Sequence, residues 1–336
     1  MSNGSGPTQP PYPGYIEHGG TQVFRQPLAL RGVTLHGFVL DADVDALQSL
    51  CTKMLNGPAR GRTRYLPLLP KVLLVFAAMD AASSTDPVHR KWGYVPEIDV
   101  SFFVPVAVLD RDGNDWEVVD LAWYLPYVFV DNSLAVATGR EIYGFQKELG
   151  RFTIPSTETG HGAYTASTLV LDPFAPQTRA TERQILEVRR NDTGSVGLKK
   201  EWDDVTDAIG ELFGGISAVG EMVDQLDGTD VDLLDLTLNL FSYVASTSVP
   251  MVFLKQFRDA ANPTRACYQR VITARADVDP TSVRHAGPLW GDYTLTLADF
   301  ASHPIASDLG LKVGDNHIDD AFRLEYSFVM RRGAEV

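Results

Sequence analysis

This chain is poor in cysteine, in positive charge and in long apolar runs, and each shortage removes a class of protein. Two cysteines, Cys51 and Cys267, form no CxxC pair and cannot build a disulfide framework, so a reducing cytoplasm is the expected setting. With 43 acidic against 29 basic residues the formal charge is −14, which repels phosphate backbones and anionic membranes. Nucleic acid and membrane surfaces are therefore not expected partners. No apolar run approaches the roughly 18 residues that a membrane helix needs, and the opening MSNGSGPTQPPYPGY has neither the basic nor the apolar segment of a leader. Seven histidines include no HExxH or other close pair, so no metal is expected. Walker, GxGxxG and GxSxG signatures are also missing, which sets aside most nucleotide-binding and serine-hydrolase readings.

What remains is a chain of 336 residues, 44% hydrophobic and 10% aromatic, with ample material for a core. Residues 1–20, rich in Gly, Pro and Ser, read as a disordered tail, and 21–336 as a single domain. Strand patterns cover Val33–Val39, Lys71–Ala78, Val100–Leu109, Trp116–Val130, Ala163–Leu171, Gln184–Arg189, Ala266–Val278, Asp292–Phe300 and Arg323–Met330. Asp41 or Asp43 is placed to cap a helix with Val44, Leu47, Leu50, Cys51 and Met54 on its apolar face. Turn residues Asp110–Asp115, with Gly113 free to take a positive φ, predict a hairpin. Many strands with few helices long enough for crossovers favour a largely antiparallel sheet or barrel. Between about 195 and 248, apolar residues recur at three- and four-residue steps, which predicts an inserted helical hairpin. Packing in the core or between subunits is its expected role.

The segment Asp131–Phe152, DNSLAVATGREIYGFQKELGRF, carries the chemistry. Lys147 stands there among aromatic and small residues, and burial of a lysine disfavours its ammonium and frees a nucleophilic amine. Phe145 and Leu149 bring this part of the chain toward a core, and Gly139 and Gly144 permit tight backbone geometry. Arg140 and Glu141 read as a structural ion pair or backbone-binding groups that orient the loop.

YVFVDNSLAVATGREIYGFQKELG resembles the signature of the acetoacetate decarboxylase family, densely over Tyr127–Gly150. The resemblance extends more loosely to Gly93–Glu97, to a strand pair over Phe253–Ala274 and to His285–Asp299. It implies an α+β, mainly antiparallel β-cone or barrel whose interior lysine forms an imine with a β-keto acid. The protonated imine then accepts the electrons released with CO2. Lys147 falls on the Schiff-base lysine, Glu97 near an active-site glutamate, and Arg31 at the arginine that binds the substrate carboxylate, with Arg25 in reserve. The expected activity is a Schiff-base lyase of a small keto acid, working without cofactor and assembled as a homo-oligomer. The alternatives are an imine-dependent aldolase or dehydratase and a non-catalytic binding protein on the same fold.

Three departures bear on that expectation. Gln146 stands for a proline, Glu148 for a second lysine, and the aliphatic run around Val75 carries no acid where decarboxylases have one. A carboxylate facing Lys147 at about 5 Å, with an effective dielectric near 20, would favour the ammonium by roughly 3 kcal/mol. On a strand, adjacent side chains point to opposite faces, which would turn Glu148 away and leave desolvation to free the amine.

Overall fold

The computed structural model describes residues 12–18, 23–113, 115–155, 162–202 and 248–336. The expected helical insertion falls largely outside these residues, as does most of the expected tail. Fifteen strands are present among the described residues. They are β1 (Leu28–Asp41), β2 (Thr63–Pro67), β3 (Lys71–Ser84), β4 (Val95–Asp112), β5 (Asp115–Val130), β6 (Lys147–Thr153), β7 (Ala163–Val170) and β8 (Thr181–Arg190), followed by β9 (Ser248–Arg258), β10 (Ala266–Val278), β11 (Arg284–Pro288), β12 (Tyr293–Leu297), β13 (Gly314–His317), β14 (Asp320–Met330) and β15 (Ala334–Glu335).

Seven strands close a barrel, in the order β5-β9-β10-β14-β1-β3-β4, with β4 pairing back onto β5. Only the joins of β5 to β9 and of β5 to β6 are parallel; the other pairings in the sheet are antiparallel. From β5 the sheet also continues outward through β6, β7, β8, β12 and β13. The hairpin expected at Asp110–Asp115 joins β4 to β5, with Gly113 at φ +62° and Asp112 opposite Asp115.

The two larger of three cores among the described residues follow from the period-two alternation of strands shared by both layers. On β1, β3 and β4, Phe38, Phe76, Val100 and Phe102 pack outside the barrel against the helix Val44–Cys51 and against residues of β7, β8 and β12. That helix is capped as expected, the Asp43 carboxylate accepting from the backbone N–H of Ala46. The opposite side chains of the same strands, Val33, Val75 and Met79 among them, face the barrel interior. Each strand therefore serves two packed layers, which accounts for the near-continuous apolar run from Val72 to Ala77.

Candidate active site

The barrel interior is a cavity of about 240 Å³ to which all seven barrel strands contribute side chains. Its wall is almost wholly aliphatic and aromatic. The ionisable exceptions are Lys147, Glu97, Asp99 and two tyrosines, Tyr143 and Tyr326.

Lys147 reaches this space through a short crossover between the parallel neighbours β5 and β6. After β5, Asn132 caps the helix Ser133–Thr138 by accepting from the Ala135 N–H at 2.8 Å. A π-helical turn, Gly139–Tyr143, follows, and Gly144 ends it in the left-handed region at φ +93°. A side chain at 144 would also collide with the backbone of Lys255, its Cβ lying 2.5 Å from that Cα. The chain then enters β6 at Lys147, opposite Val128.

Gly139 has a different reason. A Cβ there would lie 2.7 Å from Lys147 Cδ, so the bare glycine leaves the channel through which the lysine side chain runs. The first residue of the Gly139-Arg140-Glu141 motif is thus shaped around the lysine eight residues later.

At the end of that channel Lys147 Nζ donates to Glu97 Oε1 at 2.6 Å and to Asp99 Oδ2 at 3.5 Å. Residues 97, 99, 101 and 103 of β4 all line the cavity, as alternate residues of a strand must. Asp99 gives the cavity a second acid, carried on β4 rather than on the run around Val75. The Glu-x-Asp spacing on a strand was the signal for it, since it puts both carboxylates on the face that carries Glu97. Asp99 Oδ1 has no hydrogen-bond partner among the described residues, so one carboxyl oxygen is left for a bound molecule.

The charge state reverses the expectation of a free amine. Burial alone would lower the Lys147 pKa, but the Asp99 and Glu97 carboxylates outweigh it and the net shift is upward. Burial, reinforced by the charge on Glu97, pushes Asp99 well above the usual carboxylate range. Burial also acts to raise Glu97, but the Lys147 ammonium and a hydrogen bond from Asp99 hold it below its ordinary value. The shifts within the cluster run in different directions: Lys147 upward toward its ammonium, Glu97 downward toward its carboxylate and Asp99 upward toward its protonated form. The lysine rests as its conjugate acid.

The other expected site residues divide between wall and frame. Phe145 lines the cavity, its ring centroid 5.3 Å from Lys147 Nζ and 4.0 Å from that of Phe253. Gln146 ties the loop to β9 by donating to Leu254 O at 3.3 Å. Arg140 Nη1 donates to the Lys147 carbonyl at 3.2 Å, and the Glu141 carboxylate accepts from the Tyr15 hydroxyl at 3.1 Å. Arg140 and Glu141 thus hold separate partners rather than each other.

Arg31 is not brought to the cavity. A bulge between Leu30 and Val33 lets both of those side chains face inward and leaves Arg31 exposed. Arg25 is held by Glu17 at 2.8 Å, 44% of its side chain exposed. Neither arginine lines the site.

Glu148 also points away from the site. Its side chain is 49% exposed and lies 3.1 Å from His303 Nε2, on the opposite side of β6 from Lys147. Glu148→Gln is accordingly expected to change any Lys147-dependent rate by less than about threefold, the scale of a surface charge. Parallel rate measurements on the variant and the parent check this.

No family model matches the sequence. No curated protein matches it either. Solved structures do match its fold. Acetoacetate decarboxylase from Legionella pneumophila superposes with a TM-score of 0.57 at 15% identity, covering 97% of this chain and 92% of that one. A second acetoacetate decarboxylase structure gives 0.53 at 17% identity, with coverage of 95% and 92%. The enduracididine biosynthesis enzyme MppR, complexed with the condensation product of pyruvate and imidazole 4-carboxaldehyde, gives 0.51 at 14%, with coverage of 94% and 90%. The fold is therefore acetoacetate decarboxylase-like, and at these identities the likeness extends to the fold alone.

Proposed function

We propose that the chain is a Schiff-base enzyme in which Lys147 condenses with the carbonyl group of a small substrate and cleaves or forms a carbon–carbon bond beside it. The observation that carries this reading is a buried lysine amine, enclosed by apolar side chains and contacted by two acids from one strand. An ion pair needing only neighbouring charge would not require the Gly139 channel or a cavity open in front of it.

The geometry gives each group a task. A bound substrate that displaces water makes the separated charges of Lys147 and Glu97 costlier, and favours return of the lysine proton along their 2.6 Å hydrogen bond. That transfer removes one pair of separated charges from the cavity, and the upward shift of Asp99 works in the same direction. The freed amine attacks the carbonyl carbon, and loss of water gives an iminium whose positive charge Glu97, once ionised again, stabilises. This iminium is the electron sink for bond cleavage at the adjacent carbon. Asp99, with one oxygen unoccupied, is placed to give and take the substrate's proton. The resemblance in the sequence makes decarboxylation of a β-keto acid the simplest such reaction. Aldol-type cleavage uses the same iminium, and a cavity without arginine favours it.

The test is reductive trapping: incubation with carbonyl compounds and cyanoborohydride should add one reduced adduct, mapped by peptide mass spectrometry to Lys147. Adducts on surface lysines alone would sink the proposal. A pH series adds a signed expectation. Since Lys147 is shifted upward by its acids, wild-type trapping should accelerate toward alkaline pH; in Glu97→Gln, which removes one anion, the rise should begin at lower pH. An unmoved profile would show that Glu97 does not set the charge of the amine.

A further inference from the structure

Among the described residues that line the cavity, Lys147 is the only lysine, arginine or histidine. The segments outside the described residues, 1–11, 19–22, 114, 156–161 and 203–247, contain neither lysine nor arginine, and their one histidine is His161. Arg140 spends a guanidinium N–H on the Lys147 carbonyl and lines a separate polar cleft with Gln146 and Arg258. Arg31 and Arg25 lie outside the cavity, as described above. A substrate carboxylate would enter an apolar chamber already holding two carboxyl groups, with the one cation committed to them. A buried carboxylate with no cation of its own is disfavoured even where hydroxyls such as those of Ser101 and Tyr326 line the wall.

The shape of the lining points the same way. Beyond the acid pair, the chamber is walled by Leu30, Leu35, Leu73, Met79, Trp123 and Phe328. Its volume of about 240 Å³ accommodates roughly eight groups of the size that a water occupies in the liquid. A three- or four-carbon keto acid would fill only part of it and leave apolar wall against water.

Resting on the imine chemistry proposed above, we infer that the substrate is an uncharged, apolar carbonyl compound with a medium-length alkyl or aryl substituent, and that the bond broken is of the aldol type. For a β-hydroxy ketone the steps balance without an oxidant or metal. The amine adds to the ketone carbon, and the carbinolamine loses water to an iminium. A carboxylate of the acid pair removes the β-hydroxyl proton, and the O–H electron pair becomes the carbonyl of the departing aldehyde. The Cα–Cβ bond breaks and its pair moves onto the iminium as an enamine. The enamine carbon recovers the proton from the same acid, and water hydrolyses the iminium, returning the ketone and Lys147.

The full chain should be incubated with cyanoborohydride and, at equal concentrations, acetoacetate, pyruvate, methyl hexyl ketone or benzylacetone. Binding should be followed in parallel by tryptophan emission, with Trp123→Phe identifying the cavity signal. The expected result is labelling of Lys147 roughly tenfold faster by the two apolar ketones than by either acid, with a saturable emission change that Trp123→Phe removes. Equal or faster labelling by acetoacetate or pyruvate would overturn the substrate class while leaving the imine intact. Saturable binding of the apolar ketones alone, with no adduct from any carbonyl, would uphold the substrate class and sink the imine. Neither binding nor labelling by the apolar ketones would overturn the inference.

Discussion

Lys147→Ala is expected to abolish reductive trapping in the cavity and to lower carbon–carbon bond chemistry to background, a loss of several orders of magnitude. No other lysine among the described residues lines the chamber, so no neighbour there can substitute for the amine. The variant also exposes what the lysine does for the fold. Without the ammonium, Glu97 and Asp99 remain buried with no cation. Breaking such a pair from one side costs about 3–5 kcal/mol when the remaining charge cannot escape. Here Glu97 can escape by taking a proton, so both acids would have raised folded-state pKa values. Such a group contributes stability that is fully present below its unfolded pKa and is lost as pH rises through the folded one. The variant should therefore approach wild-type stability in mild acid and fall progressively behind as pH rises. Thermal unfolding across a pH series checks this, with Lys147→Met as the variant that restores apolar volume. A Lys147→Ala protein that still traps a carbonyl in the cavity at the parental rate would place the nucleophile elsewhere.

Gly139→Ala is expected to reduce Lys147-dependent trapping and turnover by about a hundredfold while leaving the barrel folded. The backbone of residue 139 is ordinary right-handed helix, φ −63° and ψ −47°, which alanine adopts without strain. Its helix propensity, about 1 kcal/mol better than that of glycine, works in the variant's favour. The damage is local: the new methyl would lie 2.7 Å from Lys147 Cδ and 3.2 Å from Cε, so the lysine must leave its channel. Displacement of a reacting group by about 1 Å can cost on the order of a hundredfold in rate. The measurement is the trapping rate beside the midpoint of thermal unfolding. Parental trapping in a folded Gly139→Ala protein would show that the lysine reaches its acids by another route.

The two variants separate what the motif around Lys147 contributes. Gly139 and Gly144 hold the same short crossover open for different reasons, one for a side chain and one for a neighbouring backbone. In the linear sequence both are simply glycines near a lysine. Asp99 was hidden because the predicted strand began at Val100, whereas β4 starts at Val95, and only on that longer strand does alternation turn Glu97 and Asp99 to one face. The run around Val75 carries no acid of its own, and Val75 and Asp99 lie on adjacent strands that line one cavity. The predicted hairpin at Asp110–Asp115 and the helix cap at Asp43 are contained in local turn and capping chemistry, which needs no distant partner.

The lysine's charge was of another kind. Composition around Lys147 indicates burial, and burial alone argues for a neutral amine. The opposite outcome depends on carboxylates fifty and forty-eight residues away that reach the same ammonium. Arg31 likewise lies close in sequence to residues that do enter the cavity, and a single bulge turns it outward. By itself the sequence determined the mainly antiparallel strand pattern, the hairpin at Asp110–Asp115 and the capped helix that follows Asp43, because each follows from periodicity, turn or capping chemistry within one segment. Only the tertiary structure decided that seven strands close into a chamber, that two acids hold the lysine protonated, and that no arginine enters. Those outcomes depend on register between distant strands, and register is set by the packing of the whole barrel.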